Sequence, residues 1–108
     1  MQIHELSDLI YERKRSNELY LEFLRSEKLS AGLYELKAGS IDSQQPHTED
    51  EVYYVIKGRG SIQIGEERRK VKSGTIVFVN AKVDHRFLEI AEDLSILVIF
   101  APPEATVK

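Results

Sequence analysis

The amino-acid sequence predicts an all-β sandwich or barrel preceded by a short helical segment. After residue 18, short runs rich in valine, isoleucine, leucine and aromatic residues alternate with turn-forming residues as far as residue 100. Turn signals that recur about every eight to twelve residues are typical of antiparallel sandwiches and barrels. At 108 residues and 12.4 kDa, the chain is expected to form one domain, 1–108, with a substantial core.

The charge distribution argues against nucleic acid as a partner. The formal net charge is −3, and the basic residues are scattered along the chain, whereas a phosphate backbone calls for a concentrated basic face. One basic cluster, Arg68-Arg69-Lys70, directly follows Glu66-Glu67, an arrangement typical of a solvated hairpin.

Cysteine is absent, which excludes disulfides, thiolate catalysis and sulfur-ligated zinc or iron. The N-terminal segment is too charged for a signal peptide, and no apolar run approaches the length needed to cross a membrane. We therefore expect a cytoplasmic protein without membrane association.

A short helix is predicted over residues 5–16, where leucine and isoleucine recur at helical spacing and Ser7 or Asp8 can cap the first turn. From Asn17 onward, apolar residues alternate with other residues, which predicts a strand. The stretch Glu18–Lys28 also fits a helical pattern, so strand and helix both remain open there.

The remaining predicted strands follow in quick succession. They are Leu29–Leu36, Asp50–Lys57, Ser61–Ile64, Arg69–Lys72, Thr75–Val79, Val83–Ile90 and Leu94–Phe100. Gly58-Arg59-Gly60 and Gly65 are expected to form tight turns, and the run Thr75–Val79 is expected to be buried on both faces. Pro102-Pro103 ends the sheet, and the residues after it are expected to fray.

Side chains of the kind that bind metals gather just before the third strand. Gln45 and His47 are two residues apart, so on an extended strand they share a face about 6.6 Å apart and can reach one ion. Glu51 has the same parity but would lie about 13 Å away on a straight strand, so it joins them only if Thr48-Glu49-Asp50 turns the chain. His85 would arrive from another strand.

Two imidazoles and one carboxylate suit a divalent, iron-like metal with open positions, and a zinc site is also chemically allowed. A histidine near a strand end is also commonly a polar core or surface residue, and Glu51 can be a solvated turn carboxylate. Residues 46–51 can even open a helix that stacks His47 on Glu51, although the β-branched and aromatic run that follows opposes this. Spacing alone leaves these alternatives open.

The stretch 39–58 resembles the first sequence motif of the cupin family, whose members form a double-stranded β-helix, or jelly-roll barrel. That motif is G-x5-H-x-H-x3/4-E-x6-G. Gly39, His47, Glu51 and Gly58 match it at every spacing, and Gln45 stands where the first histidine belongs.

The family's second motif, G-x5-P-x-G-x2-H-x3-N, is similar to residues 74–89 in a degenerate form. The first glycine and the histidine are kept as Gly74 and His85. The proline, second glycine and asparagine positions hold Asn80, Lys82 and Glu89. The two motifs with their connection cover about half of the chain.

This resemblance implies a cupin-type double-stranded β-helix and a divalent metal ion held by His47, Glu51 and His85, with Gln45 as the fourth ligand. Iron, manganese, nickel, copper and zinc all occur in the family, and the sequence does not choose among them. The resemblance also implies a homodimer. The run Leu19–Leu24 favours it, because an edge strand that is apolar on both faces is poorly suited to water.

Two functional hypotheses follow. In the first, the protein is a metal-dependent oxygenase, or a related lyase or isomerase, that acts on a small organic molecule. By strand parity Tyr53, Phe87 and Glu89 point toward the ligands and can line the pocket, and Glu89 is either an acid or base or a carboxylate at the rim. In the second, the same pocket serves a non-catalytic small-molecule binding or sensor module.

Overall fold

The computed structural model describes residues 1–43 and 46–105, and most of this part of the chain is a single antiparallel sheet. One helix, α1 (Leu6–Ser16), precedes six strands within the described residues. The strands are β1 (Tyr20–Arg25), β2 (Ser30–Leu36), β3 (Asp50–Ile64), β4 (Glu67–Lys72), β5 (Ile76–Val79) and β6 (His85–Ala101). Their order is β1-β2-β6-β3-β4, and β5 pairs with the first residues of β3. The predicted all-β fold with a short N-terminal helix is confirmed.

The long strand β3 is strongly bent. A straight strand of its 15 residues would extend about 50 Å, which exceeds the 38 Å longest dimension of the molecule. Its register with β6 shifts three times between Val55 and Ser61, and such bulges bend a strand and increase its twist. The predicted turn at Gly58-Arg59-Gly60 is therefore wrong, because this segment continues β3 through the bend.

The last two predicted strands are also one continuous strand, β6. Between the pairs Ser61–Leu88 and Arg59–Glu92, one residue of β3 opposes three residues of β6, so the extra residues bulge without breaking the ladder. Glu89 lies in this bulge with a φ of 51°. Side-chain alternation is interrupted there, so that Phe87 and Ile90 are buried while Glu89 is exposed.

The N-terminal third contains the predicted helix followed by strands, so the helical alternative for Glu18–Lys28 is wrong. Glu5 occupies the N-cap position, and no side chain makes a capping hydrogen bond. The predicted cap at Ser7 or Asp8 is wrong because the helix begins before them. Arg13 attaches the helix to the sheet, since its buried guanidinium lies 3.2 Å from the Glu35 carboxylate of β2.

Strand β5 is not buried on both faces. Ile76 and Phe78 are 69% and 55% exposed, whereas Val79 is fully buried. The strand lies beside β3, and no other described strand pairs with its free edge. One face of β5 therefore packs inward and the other meets solvent, which corrects the expectation drawn from its β-branched sequence.

The residues after Pro102-Pro103 are held in place as far as residue 105, contrary to the expected fraying. The Glu104 amide donates to Ser30 Oγ over 2.9 Å, and the Ala105 amide donates to Glu49 Oε2 over 3.2 Å. Arg25 donates to the Glu104 carbonyl over 2.8 Å. These bonds form a C-terminal strap, residues 102–105, across β1 and β2. No helix in the described part of the chain has both the length and the apolar character needed to span a membrane.

The bend in β3 gives a direct test of this fold. Gly58 has a φ of 102°, and a Cβ there would overlap the Asp93 carbonyl. Gly74 has a similar φ of 93° but open space around it, so it is the matched control. We expect Gly74→Ala to cost about 1–2 kcal/mol of unfolding free energy from backbone strain alone. Gly58→Ala should lower the unfolding free energy by roughly 1–3 kcal/mol more, because the added methyl overpacks this site. Urea denaturation of the two variants measures the difference. Equal losses would mean that the ladder moves aside without penalty.

Candidate metal centre

His47, Glu51 and His85 lie together, as the motif resemblance implied. One ligand-type atom from each residue lies within 4.8 Å of the others. The chain bends at Thr48 and Glu49, immediately before β3 begins. This bend is the turn that the sequence required for Glu51 to approach His47. Glu51 and His85 are almost completely buried, and the His47 side chain is about one-fifth exposed at 21%.

The turn between β5 and β6 brings His85 to the other two residues. Strand β5 runs beside the start of β3, where Glu51 pairs with Val79. The chain then reverses at the predicted break Asn80-Ala81-Lys82, and the Lys82 amide donates to the His47 carbonyl over 2.6 Å. Both histidines are thus attached to one turn, and Glu51 lies on the neighbouring strand.

The tautomer of His85 is fixed by its backbone contact. Its Nδ1 lies 2.9 Å from the Val83 carbonyl oxygen, which can only accept, so Nδ1 carries a hydrogen and donates. In the neutral ring, Nε2 then presents its lone pair toward Glu51, whose Oε2 is 3.1 Å away. Metal-binding histidines typically direct one nitrogen to the ion while the other donates to a carbonyl or carboxylate.

Tyr53, which strand parity placed on the ligand side, lies between two of the ligands. Its hydroxyl donates to Glu51 Oε1 over 2.7 Å, and its oxygen is 2.9 Å from His85 Nε2. The ring is 1% exposed. This contact occupies one carboxylate oxygen of Glu51 and leaves Oε2 directed at His85. Tyr53 therefore orients the carboxylate.

The environment of His85 raises its pKa. Burial disfavours the charged imidazole and acts to lower the pKa, but the hydrogen bonds to Glu51 and Val83 and the negative charges of Glu51 and Asp42 outweigh it. A proton on Nε2 can be shared between Glu51 Oε2 and the Tyr53 oxygen. A divalent cation would take the place of that proton.

Two carboxylates that the sequence did not single out approach His47. Its Nδ1 is 3.7 Å from Glu104 Oε2 and 4.0 Å from Glu49 Oε1. Burial raises the pKa of Glu104, and the charge of Glu49 adds to the rise while His47 opposes it. Glu104 follows a double proline near the C-terminus and carries no motif signal. Only the strap brings it to the site.

Asp42 is a third carboxylate that the sequence did not identify. It is 3% exposed and accepts a 2.8 Å hydrogen bond from the Phe87 amide and a 3.1 Å bond from the Tyr34 hydroxyl. Burial, and then the neighbouring Asp42 carboxylate, raise the pKa of Tyr34. Asp42 thus connects the loop after β2 to β6, beside His85.

A cavity of about 200 Å³ borders this cluster. Its lining is mostly aromatic and apolar, with two polar exceptions, and consists of Tyr20, Tyr34, Tyr53, Val98, Phe100, His47 and Glu104. Phe87 lies in the core against the Tyr53 ring, with ring centroids 5.0 Å apart. Glu89 is outside the cavity, because its side chain is 61% exposed and pairs with Arg68 at 3.6 Å. The bulge in β6 overrode the strand parity that had placed Glu89 inside.

The three ligands fit a divalent ion with little adjustment. Ligands about 2.1 Å from one ion can be at most about 4.2 Å apart, so the 4.8 Å limit requires a shift of roughly 0.6 Å or less. The buried carboxylate and the oriented imidazole are ordinary donors for zinc, iron and similar metals. Gln45 lies outside the described residues, so its place as a fourth ligand stays a prediction.

The curled antiparallel sheet with a histidine–carboxylate cluster inside it defines a cupin-type double-stranded β-helix. The chain belongs to the cupin family, since the family profile described as a cupin domain matches residues 32–100. Among solved structures, an RmlC-like cupin family protein of Methanocaldococcus jannaschii with this fold aligns at a TM-score of 0.70 and 20% identity. That alignment covers 77% of this chain and 78% of the other.

Two further relatives align over nearly the whole chain. The uncharacterized protein SCO3923 of Streptomyces coelicolor is 48% identical over 105 residues, which is 97% of this chain and 100% of that protein. The structure of TT1209 from Thermus thermophilus is 28% identical, with a TM-score of 0.73 and coverage of 95% of this chain and 99% of that chain. The relationship therefore includes the N-terminal helix as well as the barrel.

Competition between a proton and a metal at His85 predicts a pH dependence. Because the folded pKa of His85 is raised, its charged pairing with Glu51 stabilises the fold of the metal-free protein at pH values below the ordinary imidazole pKa. That stability is lost as pH rises through the folded pKa. Zinc affinity should instead increase with pH, because the metal competes with a proton for His85. We expect a rise of about tenfold per pH unit that levels only above about pH 6.5. Calorimetric zinc titrations between about pH 5.5 and 8.5 measure this. A plateau already reached below about pH 6 would contradict it.

Proposed function

We propose that this protein is a metal-dependent cupin enzyme, an oxygenase or a related lyase or isomerase, that acts on a small organic molecule. Residues 1–108 would act as one cupin domain in the cytoplasm, with His47, Glu51, His85 and Gln45 holding a divalent ion. The observation that carries the proposal is the convergence of two imidazoles and a buried carboxylate next to a partly open cavity.

The protein's own groups would prepare the site in two ways. A bound divalent ion supplies Lewis acidity or redox chemistry at positions that the protein leaves open. Tyr53 and Val83 hold Glu51 and His85 in place before the ion arrives, which lowers the cost of organising the ligands. Glu104 and Glu49 lie near Nδ1 of His47 and can orient that ring.

Proton transfer within the site would fall to Tyr53 among the residues predicted from the sequence. Its hydroxyl contacts Glu51 and His85, and its side chain lines the cavity, so it is near any molecule bound there. Glu89, the other candidate, faces solvent and pairs with Arg68, so it is poorly placed to act as an acid or base.

A non-catalytic binding or sensor module is the second candidate function. The cavity lining is mostly apolar, and the Tyr53 hydroxyl is already in contact with Glu51 and His85. Both features favour binding of a small molecule without its conversion. The two functions differ in turnover. Oxygen consumption or product formation by the metal-loaded protein supports the enzyme, and tight binding of a small molecule that is recovered unchanged supports the module.

Metal content of ligand variants tests the site itself. His47→Ala and His85→Ala should each lose stoichiometric metal, measured by elemental analysis, while keeping the circular dichroism spectrum of the folded barrel. Gln45→Ala should lose less, because a neutral amide oxygen is a weaker donor than imidazole, and Gln45→His should bind more tightly. Unchanged metal content in either histidine variant would remove that residue from the site. If Gln45→His has no effect, position 45 does not face the ion.

We also propose a homodimer. Leu19 is 51% exposed on the run Leu19–Leu24, and Tyr54, Ile76 and Phe78 are exposed on adjacent positions of β3 and β5. Apolar area of this kind is typical of an interface. Multi-angle light scattering at micromolar concentration should give about twice the 12.4 kDa chain mass. A mass of one chain under those conditions would contradict the proposal.

A further inference from the structure

Three tyrosines line the cavity, and their hydroxyl groups are not equivalent. The Tyr53 hydroxyl is bonded to Glu51 and lies beside His85, and the Tyr34 hydroxyl donates to Asp42. Among the described residues, the Tyr20 hydroxyl is buried without a hydrogen-bond partner. Buried polar groups are almost always paired, so this hydroxyl stands out as a group that a ligand can satisfy.

The position of Tyr20 is set by its neighbours. Its ring lies so close to Gly32 of β2 that a Cβ there would overlap the ring and its hydroxyl. The rings of Tyr34 and Phe100 meet it edge to face at 6.2 and 6.3 Å between centroids. The hydroxyl is thus held at the cavity by packing on several sides, and Gly32 provides the space for the ring.

The cavity's charge and size restrict what it can hold. Neither lysine nor arginine is among its described lining residues, and its one acidic group is the carboxyl of Glu104. In the metal-free chain, an anionic ligand would therefore meet this carboxylate, and the nearest basic group in the described lining is the imidazole of His47, 3.7 Å from it. The volume of about 200 Å³ suits a single ring with a small substituent, since an apolar cavity of about 150 Å³ accommodates benzene.

We propose that this cavity binds small, uncharged molecules with one aromatic or aliphatic ring and a hydrogen-bonding oxygen, which pairs with the Tyr20 hydroxyl, and that Glu104 excludes anions. The inference rests on the proposed function in taking this cavity as the substrate site. Tyr20 sets the position of the ligand's oxygen, and the aromatic walls hold its ring.

Two probes of nearly equal shape and different charge test the inference. Benzyl alcohol and benzoate are titrated into the chelator-treated full-length chain at about pH 8, followed by amide NMR shifts. Benzyl alcohol should bind, with shifts centred on Tyr20 and Gly32, and benzoate should bind at least about tenfold more weakly. Tyr20→Phe should weaken benzyl alcohol binding about 3–10-fold. Glu104→Gln should raise benzoate affinity by on the order of tenfold.

Tyr54→Phe is the matched control, because Tyr54 is exposed and lies outside the cavity lining, and it should leave both affinities unchanged. Equal binding of the two probes, no binding of benzyl alcohol, or an unaltered affinity in Tyr20→Phe would each overturn the inference. Metal content, measured on the untreated protein, separates the two proposals. Benzyl alcohol binding in a chain that never holds metal would refute the proposed function and leave the inference standing.

Discussion

The hydrogen-bonded ladder between β3 and β6 runs along nearly the full length of both strands, and its register shifts between Val55 and Ser61 bend the two strands together. The first half of β3 pairs with the second half of β6, and the remaining halves pair with each other. Without the bend, Glu51 at one end of β3 and His85 beside Ile64 at the other would be separated by about 40 Å. The curled ladder brings their side chains to 3.1 Å.

Burial of Glu51 is a second constraint on the structure, after the bend of the β3–β6 ladder. An ionised carboxylate without partners is costly inside a protein, and here Tyr53 and His85 supply the compensating contacts. The same contacts fix which oxygen and which ring nitrogen face each other. The same groups therefore stabilise a buried carboxylate in the folded core and prepare a cation site. A proton on His85 Nε2 would occupy the position where an ion would bind.

The cavity connects this cluster to the edge of the sheet. Tyr20 belongs to β1, Tyr34 to β2 and Phe100 to β6, and Glu104 reaches the cavity because the strap is bonded to Ser30 and Arg25. Elements far apart in sequence therefore contribute to one wall. This arrangement places a mostly apolar chamber directly beside His47, whose ring meets Phe100 at 5.0 Å.

Much of the fold and the centre of the site followed from the sequence. Alternating apolar residues indicate strands because one face of each must be buried, and the spacing of Gly39, His47, Glu51 and Gly58 identified the family. The turn-forming residues predicted the ends of the strands less well. Glycines such as Gly58 permit a turn or a bulge equally well, so the sequence could not distinguish two short strands from one bent strand.

The sequence by itself determined which segments form strands, the family and the three metal-ligand candidates, because these depend on local periodicity and fixed spacing. Only the tertiary structure decided that Ile76 and Phe78 are exposed, that Glu89 leaves the cavity, and that Asp42 and Glu104 join the site. The physical reason is that burial and side-chain contact depend on which distant strands pack together. A bulge of a few residues reverses the direction of a side chain, and a carboxylate acquires a role only when another part of the chain approaches it.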